Sequence, residues 1–280
     1  MIGDVLAHAV ADNDLGPRVG QCQPQPLGRA LVESVHIRVA LIAHQELGAS
    51  ALSITADSPS YPTHQRNIAL DLVQAYGLRH EIVASREMEE PNYTANPSNR
   101  CYFCKHELYT VLQRIAVDRG FRYVVDGNNL DDTGDYRPGR RAGAELEVRS
   151  PLIEAGLRKE EIRELSRQHG LPTWNQAASA CLSSRIPYGS AVTVEKLQMI
   201  DRGEEILRTL GFHQFRVRHH GDVARIEFAR EEMPRALSLE IFETLGREFK
   251  RIGFQFVAVD VQGYRTGALN EILTSIQVST

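Results

Sequence analysis

Three cysteines have the type and spacing that most clearly suggest chemistry. Cys101 and Cys104 are separated by two residues, and Cys181 follows much later in the chain. Two thiols at this spacing can ligate one centre together, because a single turn places both sulfurs on one side. A third thiol, where the fold brings it to the pair, completes a three-thiolate site with one coordination position open for chemistry. The pattern indicates a protein that handles sulfur or a metal.

The composition excludes several classes of protein. The chain has 280 residues, 42% of them hydrophobic, and a formal net charge of -4. This charge disfavours sequence-independent binding to nucleic acid, which requires a basic surface. Four cysteines do not make a disulfide scaffold. No apolar run of about 18 residues and no secretory signal are visible, so we expect a cytoplasmic protein.

Helical and strand patterns alternate through the first two thirds of the chain. They predict helices at 35–47, 63–76, 106–119 and 159–169, strands at 51–56, 80–84 and 123–127, and loops at 85–100 and 128–144. This order predicts an α/β fold with a parallel sheet and helices on both faces. Such sheets bind ligands at the carboxyl ends of their strands, where Asp57 and Asp126 lie.

The pattern changes after Gly189. A helix at 194–210 is followed by strands at 215–219 and 224–228, a helix at about 233–251 and a strand at 254–261. These elements predict a second, small α/β domain. The predicted organisation is an unusual N-terminal segment (1–38), a larger domain (39–189) and a small C-terminal domain (190–280).

Arg216 and Arg218 share one face of a predicted strand, and guanidinium groups match phosphate oxygens well. A solvated strand face is the alternative interpretation. Two further alternatives stay open at this point. Cys101 and Cys104 could form a structural zinc site with His106 and Cys181. Asp131, Asp132 and Asp135 could be turn residues, and Cys22 has no predicted role.

Five blocks of sequence, taken together and in order, are recognisable. They are Thr-Ala-Asp-Ser-Pro at 55–59, Asn-Arg-Cys-Tyr-Phe-Cys-Lys at 99–105, Asp-Gly-Asn at 126–128 with Asp-Asp-x-x-Asp-Tyr-Arg-Pro-Gly at 131–139, Ser-Ala-Cys-Leu-Ser-Ser-Arg-Ile-Pro-Tyr-Gly at 179–189, and Val-Arg at 217–218 followed by Ala-Arg-Ile-Glu at 224–227. Through them the chain resembles the LarE-type ATP-dependent sulfur transferases, a branch of the PP-loop ATP pyrophosphatase superfamily. The resemblance covers roughly residues 40–260.

The resemblance implies a specific activity. Proteins of this family adenylate a carboxylate of a pyridinium mononucleotide and replace the adenylate with sulfur, for the nickel-pincer cofactor. Some members give up the sulfur of one cysteine, whereas others hold a [4Fe-4S] cluster on three cysteines. The arrangement here is similar to the cluster type, which implies Cys101, Cys104 and Cys181 as ligands and Cys181 as the catalytic residue. A sulfide source and a homo-oligomer are also implied.

The same resemblance implies two binding sites. Ser184 and Arg185 match an anion site of the family, where Arg216 and Arg218 would hold the substrate phosphate. ATP and Mg²⁺ are implied as further ligands. Oxygen ligands for Mg²⁺ would come from the carboxylates Asp57, Asp126, Asp131 and Glu227.

The N-terminal region departs from the family pattern. The superfamily has a Ser-Gly-Gly-x-Asp-Ser turn between a strand and a helix, which presents backbone N–H groups to the ATP pyrophosphate. Residues 31–38 read Leu-Val-Glu-Ser-Val-His-Ile-Arg, without that turn. β-branched residues cannot replace glycines where backbone must approach phosphate closely, so the sequence as written predicts impaired ATP binding.

We hypothesise a local reading-frame disturbance before about residue 38, because the later blocks are intact. Re-sequencing the locus checks this, and an uninterrupted frame encoding the same residues would overturn it. Two other functions remain as alternatives. One is a related PP-loop enzyme that thiolates tRNA, which salt-sensitive tRNA binding would reveal. The other is a non-catalytic metal-binding scaffold, which would show no stabilisation by ATP.

Overall fold

The structure, a computed structural model, describes residues 10–11, 34–134, 137–175, 180–265 and 267–268. The described chain divides into two compact units. The larger unit takes the residues up to 93 and those from 98 to 180. The smaller unit takes residues 94–97 and those from 181 onward. The domain boundaries drawn from the sequence stay a prediction.

Seven strands and ten α-helices are defined in the described residues. The strands are β1 (Val10–Ala11), β2 (Ser53–Asp57), β3 (His80–Ala84), β4 (Tyr123–Val124), β5 (Phe215–His220), β6 (Val223–Phe228) and β7 (Phe256–Val259). The helices are α1 (Ser34–Leu47), α2 (Thr63–Tyr76), α3 (Pro91–Thr94), α4 (Arg100–Arg119), α5 (Pro138–Glu145), α6 (Pro151–Glu154), α7 (Lys159–Gln168), α8 (Val194–Thr209), α9 (Met233–Ala236) and α10 (Leu239–Arg251). Short 3₁₀ helices span Gly48–Ser50, Glu87–Glu89, Leu130–Gly134 and Leu182–Arg185. None of the helices described is long and apolar enough to cross a membrane.

The larger unit is built around the parallel pair of β2 and β3, in register from Ser53 opposite His80 to Asp57 opposite Ala84. A separate antiparallel pair joins β1 to β4. Side chains from α1, β2, α2 and α4 form one buried core that includes Ile37, Ile54 and Leu72. The mixed α/β class with parallel strands is therefore confirmed. The PP-loop-like sheet covered on both faces remains a prediction.

Three expectations about individual elements were wrong. Helix α4 begins at Arg100 rather than at 106, so Cys101 and Cys104 lie in its first turn and not in a preceding loop. The predicted loop at 128–144 contains α5, which starts with Pro138, a residue pre-organised for a first helical turn. The helix expected at 233–251 is interrupted, because the Ser238 side chain accepts from the N–H of Ile241 and starts α10 afresh.

The smaller unit contains a three-stranded sheet in the order β5-β6-β7. Strands β5 and β6 are antiparallel, and β6 and β7 are parallel. Helix α8 buries Leu197, Ile200 and Leu207 along one side. Its Gly203 packs closely against α10, because an added Cβ would lie 3.1 Å from the Phe249 ring. Pairing of β5 with β6 fixes the backbone positions of Arg216 and Arg218, two residues apart on β5.

Several sequence features lie outside the described residues. Within the N-terminal segment the structure describes only β1 and residues from 34 onward. Cys22 and residues 31–33 therefore carry no structural account, whereas residues 34–38 belong to α1. Asp135 and Tyr136 of the third block and Ser179 of the fourth block are also outside. The reading-frame hypothesis stays a prediction.

Candidate functional site

An arginine-rich face forms on β5 and β6. Arg216 lies opposite Glu227 in the register, and Arg218 lies opposite Arg225. Arg218 donates to both carboxylate oxygens of Glu227, at 2.9 Å each, in the forked geometry that makes such pairs strong. Arg225 donates to Glu227 at 3.1 Å and to Asp260 at 2.8 Å. The carboxylates therefore hold the guanidinium groups in place.

The Cys181 loop is attached to this face. Ser184 Oγ donates to the Cys181 carbonyl oxygen at 2.8 Å, and Arg185 Nη1 donates to the same oxygen at 3.0 Å. Arg218 Nη1 donates to the Ser184 carbonyl oxygen at 2.9 Å. Cys181 itself is buried. Within the smaller unit, the structure thus brings together Cys181, Ser184, Arg185, Arg218 and Glu227 in one hydrogen-bonded group.

Glu204 on α8 anchors Arg185 and was missed by the sequence analysis. Arg185 Nε donates to Glu204 Oε1 at 2.9 Å, and Nη2 donates to Oε2 at 3.3 Å. Both side chains are almost completely buried, at 1% and 3% exposure. A signal was present in the sequence. Glu204 occupies a core position in the helical series of apolar residues at 197, 200 and 207, where a carboxylate needs a buried partner.

Charges on this face alter two pKa values. Burial, followed by the neighbouring Arg185, lowers the pKa of Arg216 to about 10, against the attraction of Glu204. Burial alone would raise the pKa of Glu204, but Arg185, with Arg216 and Arg208, outweighs it and lowers that pKa. At neutral pH Arg216 is therefore a cation and Glu204 an anion. The Arg216 guanidinium lies over the Tyr264 ring, 5.0 Å from its centroid.

The face carries more positive than negative groups. Its arginines are Arg185, Arg216, Arg218 and Arg225, and its carboxylates are Glu204, Glu227 and Asp260. A partly buried set of rigid guanidinium groups with excess positive charge is suited to an anion, and above all to a phosphate. The face is a candidate phosphate site.

The thiol pair belongs to the larger unit. Cys101 and Cys104 lie three residues apart in the first turn of α4, so their side chains are neighbours on the helix surface. Both are partly exposed, and no described cysteine is in a disulfide. The positive end of a helix dipole stabilises thiolates, and thiolates are the ligands that iron–sulfur clusters require. The donor chemistry of the pair fits a cluster.

Within each unit, the described residues include no group of three or more His, Cys, Asp or Glu side chains placed to hold a metal ion. The cluster ligands therefore remain a prediction.

Glu87 lies next to Cys104, and the sequence analysis did not single it out. The side chain is 2% exposed. Its Oε1 atom accepts from the hydroxyls of Ser58 and Ser60, which follow β2. Its Oε2 atom accepts from the Ser85 hydroxyl at 2.6 Å and lies 3.7 Å from Cys104 Sγ. A single carboxylate therefore ties together the carboxyl ends of β2 and β3 and the start of α4.

We expect Glu87→Ala to lower the free energy of unfolding by roughly 2–4 kcal/mol, because buried serine hydroxyls lose their acceptor. Glu89→Ala is the matched control, since Glu89 is exposed on the same 3₁₀ helix, and its effect should stay within about 0.5 kcal/mol. Urea denaturation of both variants measures this. Equal stabilities would contradict the structural role assigned to Glu87.

The three acidic residues predicted in the larger unit have different partners. Asp57, the last residue of β2, pairs with Arg66 at 3.0 Å near the surface. Asp126 is buried and accepts from Tyr109 at 3.0 Å, from Ser150 at 2.7 Å and from the Asn128 amide. These hydrogen bonds fix the position of the carboxylate, two residues after the end of β4. The Mg²⁺ role of these residues stays a prediction.

Asp131 anchors the start of α7. Its carboxylate accepts from the backbone N–H of Lys159 at 2.8 Å and from Arg158 Nη1 at 2.9 Å. The Lys159 N–H is the largest cause of a lowered pKa at Asp131, and Arg158 adds to it. A depressed folded-state pKa gives stability that is present at neutral pH and lost as the pH falls through it.

We therefore expect Asp131→Asn to destabilise the protein at pH 7, by about 1 kcal/mol or less because the pair is exposed. The difference from wild type should shrink as the pH falls below about 4. Thermal unfolding across this pH range tests it. A difference that is constant with pH would show that the charge of Asp131 is not involved.

No protein-family model matches the chain. The chain is 32% identical, over 228 residues, to the pyridinium-3,5-bisthiocarboxylic acid mononucleotide synthase of Lactiplantibacillus plantarum, covering 81% of this chain and 82% of that protein. The chain belongs to the LarE-type sulfur transferase family. The chain is also 47% identical to an uncharacterized protein of Synechocystis, over 84% of this chain and 88% of that protein. An uncharacterized protein of Methanocaldococcus jannaschii is 29% identical over 61% of this chain and 66% of its own length.

Family membership confirms the resemblance drawn from the five sequence blocks. The three-cysteine cluster subtype and the consequences of the missing glycine turn are finer points, and both remain predictions.

Proposed function

We propose that this protein transfers sulfur to a carboxylate of a pyridinium mononucleotide in the biosynthesis of the nickel-pincer cofactor. Two findings support the proposal. One is the similarity to the named synthase of Lactiplantibacillus plantarum, and the other is a structural observation. Arg218 holds Glu227 through two hydrogen bonds and also donates to the backbone of the Cys181 loop. A phosphate bound on the arginine face is thus held next to the loop that carries the candidate catalytic cysteine.

The arginines bind and orient the substrate in this proposal. Arg216 and Arg218 hold the phosphate, and Ser184 and Arg185 complete the anion site. Glu227 and Glu204 fix the guanidinium groups before substrate arrives, so binding does not have to order them. Holding the substrate in one orientation lowers the barrier to its reaction with a second held group.

Sulfur insertion requires a leaving group, because a carboxylate is a poor electrophile. We propose that ATP supplies it: the carboxylate oxygen attacks the α-phosphate, pyrophosphate leaves, and an acyl-adenylate forms. A sulfur nucleophile then attacks the acyl carbon, AMP leaves with the former carboxylate oxygen, and a thiocarboxylate remains. Asp57, Asp126 and Asp131 are the proposed oxygen ligands for ATP-bound Mg²⁺. Glu227, the fourth carboxylate drawn from the sequence, has both oxygens engaged by Arg218 and is assigned here to the phosphate site.

Cys101, Cys104 and Cys181 are the proposed ligands of a [4Fe-4S] cluster, which when bound supplies the sulfur. Cys101 and Cys104 are neighbours on the surface of α4 near its N-terminus, so both can reach one cluster. Burial keeps the Cys181 thiol away from bulk water. If no cluster assembles, Cys181 is the proposed single-use sulfur donor.

The test is an anaerobic reaction of the purified protein with the pyridinium biscarboxylate mononucleotide, ATP, Mg²⁺ and sulfide. We expect the mass of the mononucleotide to change by exchange of oxygen for sulfur, together with release of AMP and pyrophosphate. Omission of ATP is the matched control. Absence of product, with no heat and no thermal stabilisation on adding ATP, would favour a non-catalytic scaffold instead. Salt-sensitive tRNA binding would favour a tRNA-thiolating enzyme.

A further inference from the structure

A short loop that follows β7 turns back onto the end of β6. The Asp260 N–H donates to the Ile226 carbonyl oxygen at 2.8 Å, and the Tyr264 N–H donates to the Phe228 carbonyl oxygen at 2.7 Å. Both acceptors belong to β6. Residues 260–264, called the return loop below, are therefore attached to β6 at both ends.

Gly263 sets the path of the return loop. Its φ of +69° lies in the left-handed region that favours glycine. A Cβ added at this position would lie 2.7 Å from the Phe228 carbonyl oxygen and 3.2 Å from Met233 Sδ. A larger residue would therefore displace the loop, and with it the backbone of Tyr264.

Asp260 connects the return loop to the arginine-rich face. Its Oδ2 atom accepts from Arg225 Nη1 at 2.8 Å, and its Oδ1 atom accepts from the Gln262 backbone N–H at 2.8 Å. The Asp260 side chain is only 10% exposed. One carboxylate thus fixes both a guanidinium group of the face and the turn that leads to Tyr264.

The return loop places the Tyr264 ring against Arg216. The Arg216 guanidinium lies over the ring, 5.0 Å from its centroid, and its Nη1 atom donates to the Phe215 carbonyl oxygen at 2.7 Å. This contact differs from the forked pair of Arg218 with Glu227. A carboxylate neutralises a guanidinium and engages two of its N–H groups, whereas a neutral ring attracts the cation through its π face. A ring contact therefore orients an arginine while its charge stays available to an anion.

We propose that Tyr264 is a positioning residue of the phosphate site, and that its ring holds Arg216 in the orientation that binds the phosphate of the mononucleotide. This inference rests on the proposed function, which assigns the phosphate to the arginine face. The return loop supplies the rigidity. A guanidinium that is fixed in advance loses less conformational entropy when the phosphate binds. Tyr264 acts through its ring and not through its hydroxyl group.

The first test measures binding of the pyridinium biscarboxylate mononucleotide to the full chain by isothermal titration, without ATP. We expect Tyr264→Ala to weaken binding by roughly 10-fold, and Tyr264→Phe to bind within about twofold of wild type because the ring remains. Phe256→Ala is the matched control, since Phe256 is an aromatic residue of the same unit that is 62% exposed. Unchanged binding in Tyr264→Ala, or equal losses in Tyr264→Ala and Tyr264→Phe, would overturn the proposal.

A double-variant cycle tests whether Tyr264 acts through Arg216. Arg216→Gln removes the cation and should weaken binding by itself. If the ring serves only to hold that cation, adding Tyr264→Ala to Arg216→Gln should cause little further loss of affinity, because the two residues act as one unit. A further loss as large as the one that Tyr264→Ala causes in the wild-type background would show that Tyr264 acts independently of Arg216, and it would overturn the proposal.

Two glycines test the return loop without altering the tyrosine. We expect Gly263→Ala to weaken binding about as much as Tyr264→Ala does, because the added Cβ displaces the loop. Gly267→Ala is the matched control. Gly267 also has a positive φ, of +82°, but a Cβ added there would meet nothing within 4 Å, so the backbone strain is similar and the clash is absent. Wild-type affinity in Gly263→Ala would contradict the role of the loop.

The outcomes separate this inference from the proposed function, because binding is measured without the reaction. Weaker binding in Tyr264→Ala, with no sulfur transfer by the wild type, would support the positioning role and reject the transfer reaction. Sulfur transfer by the wild type, with unchanged binding in Tyr264→Ala, would overturn this inference alone. A wild type that does not bind the mononucleotide at all would overturn both.

Discussion

Replacing Glu204 by alanine is expected to lower the free energy of unfolding by about 3–5 kcal/mol, the usual effect of removing one partner of a buried ion pair. The Arg185 guanidinium is 1% exposed and donates to both oxygens of Glu204. Without the carboxylate, a buried cation loses its counterion while it remains near Arg216 and Arg218. Denaturation in urea, followed by circular dichroism, measures the change.

Glu205→Ala provides the matched control. Glu205 is the next residue of α8 and pairs with Arg208 at 2.7 Å, but its side chain is 63% exposed. An exposed pair contributes little, so this change should stay within about 1 kcal/mol. If Glu204→Ala and Glu205→Ala had equal effects, burial of the Arg185–Glu204 pair would be irrelevant to stability.

A double variant separates stability from binding. Arg185→Met with Glu204→Leu replaces the buried pair by apolar side chains of similar size, which is often neutral for stability. We expect it to be more stable than Glu204→Ala alone. It should nevertheless bind the mononucleotide phosphate more weakly than wild type, because one guanidinium of the anion site is gone. Wild-type affinity in the double variant would remove Arg185 from the site.

The arginine face shows which parts of the candidate site could be predicted from the sequence. Arg216 and Arg218 alternate with Phe215 and Val217, so a period-two pattern was sufficient to place both arginines on one strand face. The pattern could not supply their partners. Glu227 lies on the next strand, in a register that only strand pairing sets. Glu204 comes from a helix, and only its tertiary packing shows that the carboxylate is buried.

The start of α4 was mislocated for a related reason. The apolar spacing of the helix is clear from Leu108 onward, whereas its first turn carries Cys101, Phe103 and Cys104, all only partly buried. The sequence does place Asn99, a preferred helix N-cap residue, just before this turn, but its side chain makes no cap hydrogen bond. The helical placement changes the interpretation of the thiols, because it adds a helix dipole to their surroundings.

Replacing Cys181 by alanine is expected to abolish sulfur transfer, under either form of the proposed mechanism. If three thiolates hold a cluster, removing one ligand prevents its assembly, and iron content should fall from about four per chain together with the broad visible absorbance. If Cys181 is a single-use donor, the variant has no sulfur to give. Anaerobic purification followed by iron, acid-labile sulfide and product analysis distinguishes these two cases.

Cys22→Ala is the control, because Cys22 lies outside the five matched blocks and should leave iron content and product unchanged. Zinc in the wild type, or no metal at all, would exclude the cluster and leave Cys181 as the donor. Product formation at the wild-type level in Cys181→Ala would contradict both forms. The Cys181→Ala variant also tests the arginine face. It should still bind the mononucleotide, because Arg216 and Arg218 are intact and Glu227 still holds Arg218. Binding without turnover would therefore separate the anion site from the sulfur chemistry.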